Sequence, residues 1–212
     1  MEGRIMSKRR SRSAGFFAFV VAMMLVGAGG AFAAVFTWDG GGLDDNWTTV
    51  ENWVGDPVGT GPGPGDTVVY DANSVARLAT GIQDGAIAAP GVIIQVAAGT
   101  PGDVTITVDF ALNLAAGTSI DMTAAPANLT LAGGVGSITL AGAATFDVAN
   151  GRTLNITEDI DNDGNLLTVQ GAGNTAITGV VSNTGGITKS GTGTLTLDGT
   201  NTYSGATTIN AG

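Results

Sequence analysis

The chain has 212 residues, of which 18 are acidic, 8 basic and 35 glycine, with no cysteine and no histidine. No disulfide can hold the fold, and the commonest general base and transition-metal ligand are both missing. The acid excess, with no Lys/Arg cluster beyond residue 12, repels phosphate, so nucleic acid and anionic lipid are excluded as partners. It also counts against an enzyme that acts on acidic polysaccharide.

Arg4, Lys8, Arg9, Arg10 and Arg12 precede an apolar run, FFAFVVAMMLVGAGGAFA, that ends in Ala31-Phe32-Ala33. A basic head, an apolar middle and an A-x-A end predict a secretory signal peptide over 1–33, with the chain exported. The alternative is an uncleaved anchor, since Phe16 to Val35 is long enough to span a bilayer. Cleavage after Ala33 removes five of the eight basic residues and Glu2. It leaves Arg77, Arg152 and Lys189 against 17 acids, a net charge near −14.

All three tryptophans follow within WDGGGLDDNWTTVENW, residues 38–53. Two readings compete for them: a bulky cover over the end of an apolar core, or exposed rings that stack on surface glycans. Asp44-Asp45, with Asp39, Glu51 and Asp56 nearby, offer a glycosidase-like acid pair. Such enzymes need carboxyls on opposite sides of a scissile bond, whereas adjacent acids in a glycine-rich loop serve turns. GDTVVYD, residues 65–71, is the first clear strand.

From residue 104 onward the chain runs in short bursts: VTITV (104–108), ALNLA (111–115), NLTLAG (128–133), SITLAG (137–142), TFDVAN (145–150), TLNIT (153–157), LLTVQG (166–171) and TLTLDG (194–199). Period-two alternation rich in Thr, Val, Ile and Leu predicts strands with one buried face, and Gly, Asn and Asp between them predict turns. The fold class is all-β. One burst buries two large side chains, roughly 3–6 kcal/mol, against about 1–2 kcal/mol of backbone entropy for each of its residues. No burst is stable alone, so each must stack on others. Aromatics nearly vanish between Phe110 and Tyr203, leaving Phe146, so the inward columns are aliphatic and the core narrow. That predicts a parallel β-helix rather than the alternative, a β-sandwich. The tryptophans, placed just before its first strand, then read as the N-terminal cap. The expected organisation is signal peptide 1–33, cap and first strands 34–75, β-helix rungs 76–184 and a terminal repeat 185–212.

DIDNDGNLLTVQ, residues 159–170, places Asp159, Asp161, Asp163 and Gly164 at positions 1, 3, 5 and 6 of a calcium loop. Gln170 stands where a bidentate Glu is needed, and no helical pattern flanks the loop. Calcium is therefore a weak candidate, set against a β-helix corner whose Asp and Asn side chains bond the turning backbone. No other cofactor and no catalytic residue is expected.

Residues 185–212 read GGITKSGTGTLTLDGTNTYSGATTINAG. This segment resembles the autotransporter-associated β-strand repeat of bacterial surface and secreted proteins. Gly185, Gly186, Thr188, Lys189, Gly191, Gly193, Thr194, Leu195, Thr196, Leu197, Gly199, Asn201, Thr202, Tyr203, Gly205, Thr207 and Gly212 match it. GNLLTVQGAGNTAITGVVSN (164–183) and the opening WDGGG are similar to stretches that accompany such repeats. The resemblance implies a right-handed β-helical passenger segment at the cell surface or outer membrane, without enzymatic activity. It also implies an outer-membrane translocation barrel as partner, in the same chain or beyond Gly212, and hence a fragment of a longer chain. An adhesin that contacts glycans is the alternative function, and a β-helical polysaccharide lyase or hydrolase is the third. From the pattern itself, Leu195, Leu197, Tyr203 and Ile209 are expected to point inward, and Thr194 and Thr196 outward.

Overall fold

Period-two alternation puts every second side chain on one side of a strand, and the chain here closes that side into an interior. A computed structural model describes residues 33–55, 61–74, 78–82, 87–133 and 136–212. The apolar leader, Asp56 and Arg77 lie outside the described residues.

The strands fall on three faces. The first carries Val35–Thr37, Thr67–Tyr70, the second half of Ile87–Val96, Gly117–Met122, Ala144–Val148, Leu167–Gly171, Ile187–Lys189 and Thr207–Ile209. The second carries Ala79–Ile82, Val104–Val108, Leu129–Gly133, Thr153–Ile156, Asn174–Ile177 and Leu195–Leu197. The third carries the start of Ile87–Val96, then Leu112–Leu114, Ile138–Leu140, Ile160–Asp161 and Val181–Ser182. Named strands pair in parallel on all three faces, and the antiparallel bridge Trp38–Trp53 lies outside them. The molecule is a parallel β-solenoid, not a sandwich of facing antiparallel sheets.

Stacking is in register, so like positions form columns. On the first face Val68, Ile94, Ile120, Phe146 and Val169 lie beside one another in successive turns. On the second, Ile106, Leu131, Ile156, Ile177 and Leu197 do the same. On the third the column is Ile87, Leu112, Ile138, Ile160 and Val181. Nearly all of these side chains are buried. Outward positions are polar: Thr118, Thr145, Thr168, Thr188 and Thr208 form one ladder. Beside it, Gln95 donates to Asp121 at 2.8 Å and Gln170 to Asp147 at 2.6 Å.

The turns shorten along the chain. Hydrogen-bonded residues in neighbouring turns are 26 apart at Gln95 and Asp121, 23 at Asp147 and Gln170, and 20 where the Thr194 amide donates to Asn174 Oδ1. Part of the reason is a lost column. Tyr70 stacks on Val96, and Met122 on Val148, but the next position is Gly171. Its φ of +93° is a left-handed conformation, and a Cβ there would lie 2.2 Å from the Val148 carbonyl oxygen. The chain therefore turns at once and enters the second face at Asn174.

Several strands were not read from the sequence, among them Ala79–Ile82, Ile87–Val96 and Gly117–Met122. IAAPGVIIQV lacks alternation because it serves two faces and bends at Gly91, where φ is +81° and a Cβ would meet the Asn113 carbonyl oxygen at 2.5 Å.

Phe146 is the largest member of its column and fully buried. Phe146→Ala is expected to cost about 3–5 kcal/mol in urea unfolding, since the stacked backbones above and below cannot collapse into the space. Ile209→Ala, at a side chain 72% exposed, is expected to stay within about 0.5 kcal/mol of the parent.

Candidate functional site

Three places hold the residues that the sequence singles out, and the first is the N-terminal end. Trp38 extends the strand Val35–Thr37, its amide donating to the Val69 carbonyl at 2.9 Å and its ring lying 6.4 Å from that of Tyr70. Trp53 then meets Phe36, Trp38 and Trp47 edge to face, with centroids 5.6, 5.1 and 6.1 Å away. Ring quadrupoles favour that arrangement. Asn52, fully buried, organises the loop: its Oδ1 accepts the Gly42 amide, and its Nδ2 donates to the Asp44 and Asn46 carbonyls. Ser74 Oγ donates to the Trp38 carbonyl at 2.6 Å, and Thr80 Oγ1 to the Asp45 carbonyl at 3.0 Å. The loop is thus tied to the second face as well as the first, and the aromatic cluster is a cap.

The tryptophans are 0%, 2% and 0% exposed, so none offers a ring face to a sugar. Glycan stacking on exposed tryptophan is overturned by that burial. The acids nearby serve turns: Asp39 accepts the Gly41 amide, and Asp44 accepts the Asn46 amide and the Thr49 hydroxyl. Not every indole N–H finds a hydrogen-bond partner. Trp53 Nε1 donates to the Trp47 carbonyl at 2.8 Å, but Trp47 Nε1 and Tyr70 Oη are buried without a hydrogen bond. Burial pushes the Tyr70 phenol far above its ordinary range; Trp47 and Thr80 lie close enough to moderate the shift without reaching hydrogen-bond geometry.

The second place is the corner at 159–165. Asp159 Oδ1 accepts the Val180 amide at 2.7 Å; Asp161 Oδ1 accepts the Asp163 amide at 2.8 Å and Asn183 Nδ2 at 2.9 Å. Asp163 and Gly164 both have positive φ, as a tight reversal requires. The centre of the corner is Asn162, fully buried, which the loop pattern passes over. Its Oδ1 accepts the Gly185 amide at 2.8 Å and its Nδ2 donates to the Gly185 carbonyl at 3.0 Å, so it binds the next turn's backbone at both ends. Among the described residues no group of three or more acidic side chains is placed to hold a metal ion.

The third place is the C-terminal segment. Ile187–Lys189 lies between Leu167–Val169 and Thr207–Ile209, and Leu195–Leu197 follows Thr175–Ile177. Leu195, Leu197 and Tyr203 are half-buried against the core, while Thr194 and Thr196 face outward. Ile209 occupies an inward column position but is exposed, unlike the expectation. Asn201 Oδ1 accepts the Val181 amide one turn back.

Residues 187–212 match the profile of the passenger-associated-transport-repeat family. No curated protein and no solved structure matches the chain. The passenger-associated-transport-repeat coincides with the segment whose motif resembles the autotransporter repeat. It comprises a first-face strand, a second-face strand and the return to the first face. Its Lys189 is the residue that sequence reasoning placed in the motif without seeing its direction: it points inward and is only 6% exposed. The period-two alternation with Ile187 carries that signal.

Two measurements check the cap. Tyr70→Phe deletes a buried hydroxyl that has no hydrogen bond, so the unfolding midpoint is expected to hold or rise, by up to about 1 kcal/mol; a clear loss means that the hydroxyl is bonded. Tryptophan emission is expected to be blue-shifted and unmoved by glycans, and to turn red only on unfolding.

Proposed function

We propose that this chain is an exported, non-enzymatic β-solenoid segment of a bacterial surface or secreted protein, of the passenger kind. One observation carries the reading. The passenger-associated-transport-repeat is built into the same in-register columns as the rest of the solenoid, as continuous turns of one rod.

Mechanically, the rod is extended by adding turns, each of which binds the one before it through parallel backbone hydrogen bonds and aliphatic contact. A segment of this kind needs no reaction centre, and the acids near the cap and at 159–163 are engaged in turns. The basic-apolar leader directs export, and an outer-membrane barrel is the partner that passes the chain across.

Expression of residues 1–212 in a Gram-negative host tests export. The exported chain is expected to begin at Ala34 by N-terminal sequencing; an intact chain confined to the cytoplasm contradicts the reading. Incubation with a panel of neutral polysaccharides is expected to release no reducing ends, and turnover above the blank contradicts the structural role.

A further inference from the structure

Asparagines at the corners of this solenoid are tied to a neighbouring turn. Asn128 Oδ1 accepts the Thr153 amide at 2.9 Å, Asn174 Oδ1 the Thr194 amide at 3.0 Å and Asn201 Oδ1 the Val181 amide at 2.8 Å. Asn162 is bonded at both ends of its side-chain amide. Asn150 breaks the pattern. It is exposed at the corner between Ala144–Val148 and Thr153–Ile156, and Gly151 follows it, in the only Asn-Gly pair of the sequence. Among the described residues, neither the Asn150 side chain nor the Gly151 amide has a hydrogen-bond partner.

The shortening of the turns produces this exposure. The Arg152 amide closes the corner on the Ala149 carbonyl at 3.1 Å. The next turn crosses only the base of the corner: the Gly173 amide donates to Val148, the Asn174 amide to Arg152, and Gly173 packs against the Ala149 and Arg152 carbonyls. The tip, Asn150-Gly151, overhangs. A Cβ on Gly151 would meet nothing within 4 Å, and its φ is +71°.

We propose that Asn150 is a site of self-modification, at which the Gly151 amide converts the asparagine through a cyclic imide to aspartate and isoaspartate. Hydroxide takes the Gly151 amide proton, and the nitrogen bonds to Asn150 Cγ. The Cγ–Nδ2 bond breaks, and Nδ2 leaves as ammonia after taking a proton from water. A second water then opens the imide. Attack at Cγ gives aspartate; attack at the Asn150 backbone carbonyl gives isoaspartate, with the main chain rerouted through Cβ. No electron changes hands, and solvent is the only co-reactant. The attack needs the backbone after the asparagine to swing toward its side chain, and a glycine without Cβ permits that. Nucleophile and electrophile are already neighbours, so the reaction is intramolecular. The product adds a negative charge and an extra backbone atom only at the tip, which no turn covers. This inference concerns the chain's own chemistry and does not rest on the export reading.

The test is peptide mapping by mass spectrometry after the purified full chain is held, folded, in mildly alkaline buffer. Asn150 is expected to acquire the mass of the amide-to-acid change before any other asparagine, as a mixture of aspartyl and isoaspartyl peptides. The folded rate is expected to lie within about threefold of the rate in urea, since no local opening has to precede the attack. Asn150→Gln, at an exposed side chain, is expected to abolish the more acidic band that the aged parent develops on isoelectric focusing. Earlier conversion at another asparagine, or an aspartyl product without isoaspartate, overturns the proposal. So does a folded rate more than about tenfold below the rate in urea, which means that the corner shields the pair.

Discussion

Parallel in-register stacking is the constraint from which the rest of this molecule follows. A turn of 20 to 26 residues brings only a few large apolar side chains inward, too few to offset the entropy of ordering it. Only a neighbour in the same register covers those side chains and pairs the backbone groups. Each turn is thus both product and template, and the columns running through Phe146 and Ile156 are the physical record of that templating. The requirement acts on every position at once, which is why inward residues are so uniform while outward ones are free to be Thr, Asn, Asp or Gln.

A column must stop somewhere, and the N-terminal stop is built from different chemistry. Three tryptophans and Tyr70 are too large for the narrow middle of the rod, but they suit its end, where one ring can cover several aliphatic columns. Their packing needs a loop that crosses from one face to another. Asn52 supplies its scaffold by satisfying an amide and two carbonyls that the crossing would otherwise bury unpaired. The cost of this arrangement is visible at Trp47 Nε1 and Tyr70 Oη, polar atoms carried inside by rings chosen for their size.

Corners pose the same problem in miniature. Where the chain turns, backbone groups leave the ladder, and buried amides take their place: Asn162 holds both polar groups of Gly185, and Asn165 reaches the Leu140 carbonyl. The acidic residues around them do similar work from outside. A spacing of alternate aspartates followed by glycine serves turn chemistry here, and a tight reversal with positive φ favours the same residues as a metal loop. Lys189 carries the principle inward, with backbone carbonyls at a glycine corner solvating a charge.

Much of the architecture was legible in the sequence because burial in a strand has a period of two and leaves its mark residue by residue. The alternation in VTITV or TLNIT sufficed for strands, and scarce aromatics in the middle sufficed for a narrow aliphatic interior. The three-face arrangement was not legible, because it depends on where each corner falls; IAAPGVIIQV shows no alternation while contributing to two faces. Nor were the partners of Asn52, Asn162 and Lys189, which lie 6 to 23 residues away or at a corner the pattern does not mark. Local chemistry determined that this chain forms stacked strands with an aromatic end. Only the closed solenoid decided which turn sits on which, since register is a property of two segments and neither encodes it alone.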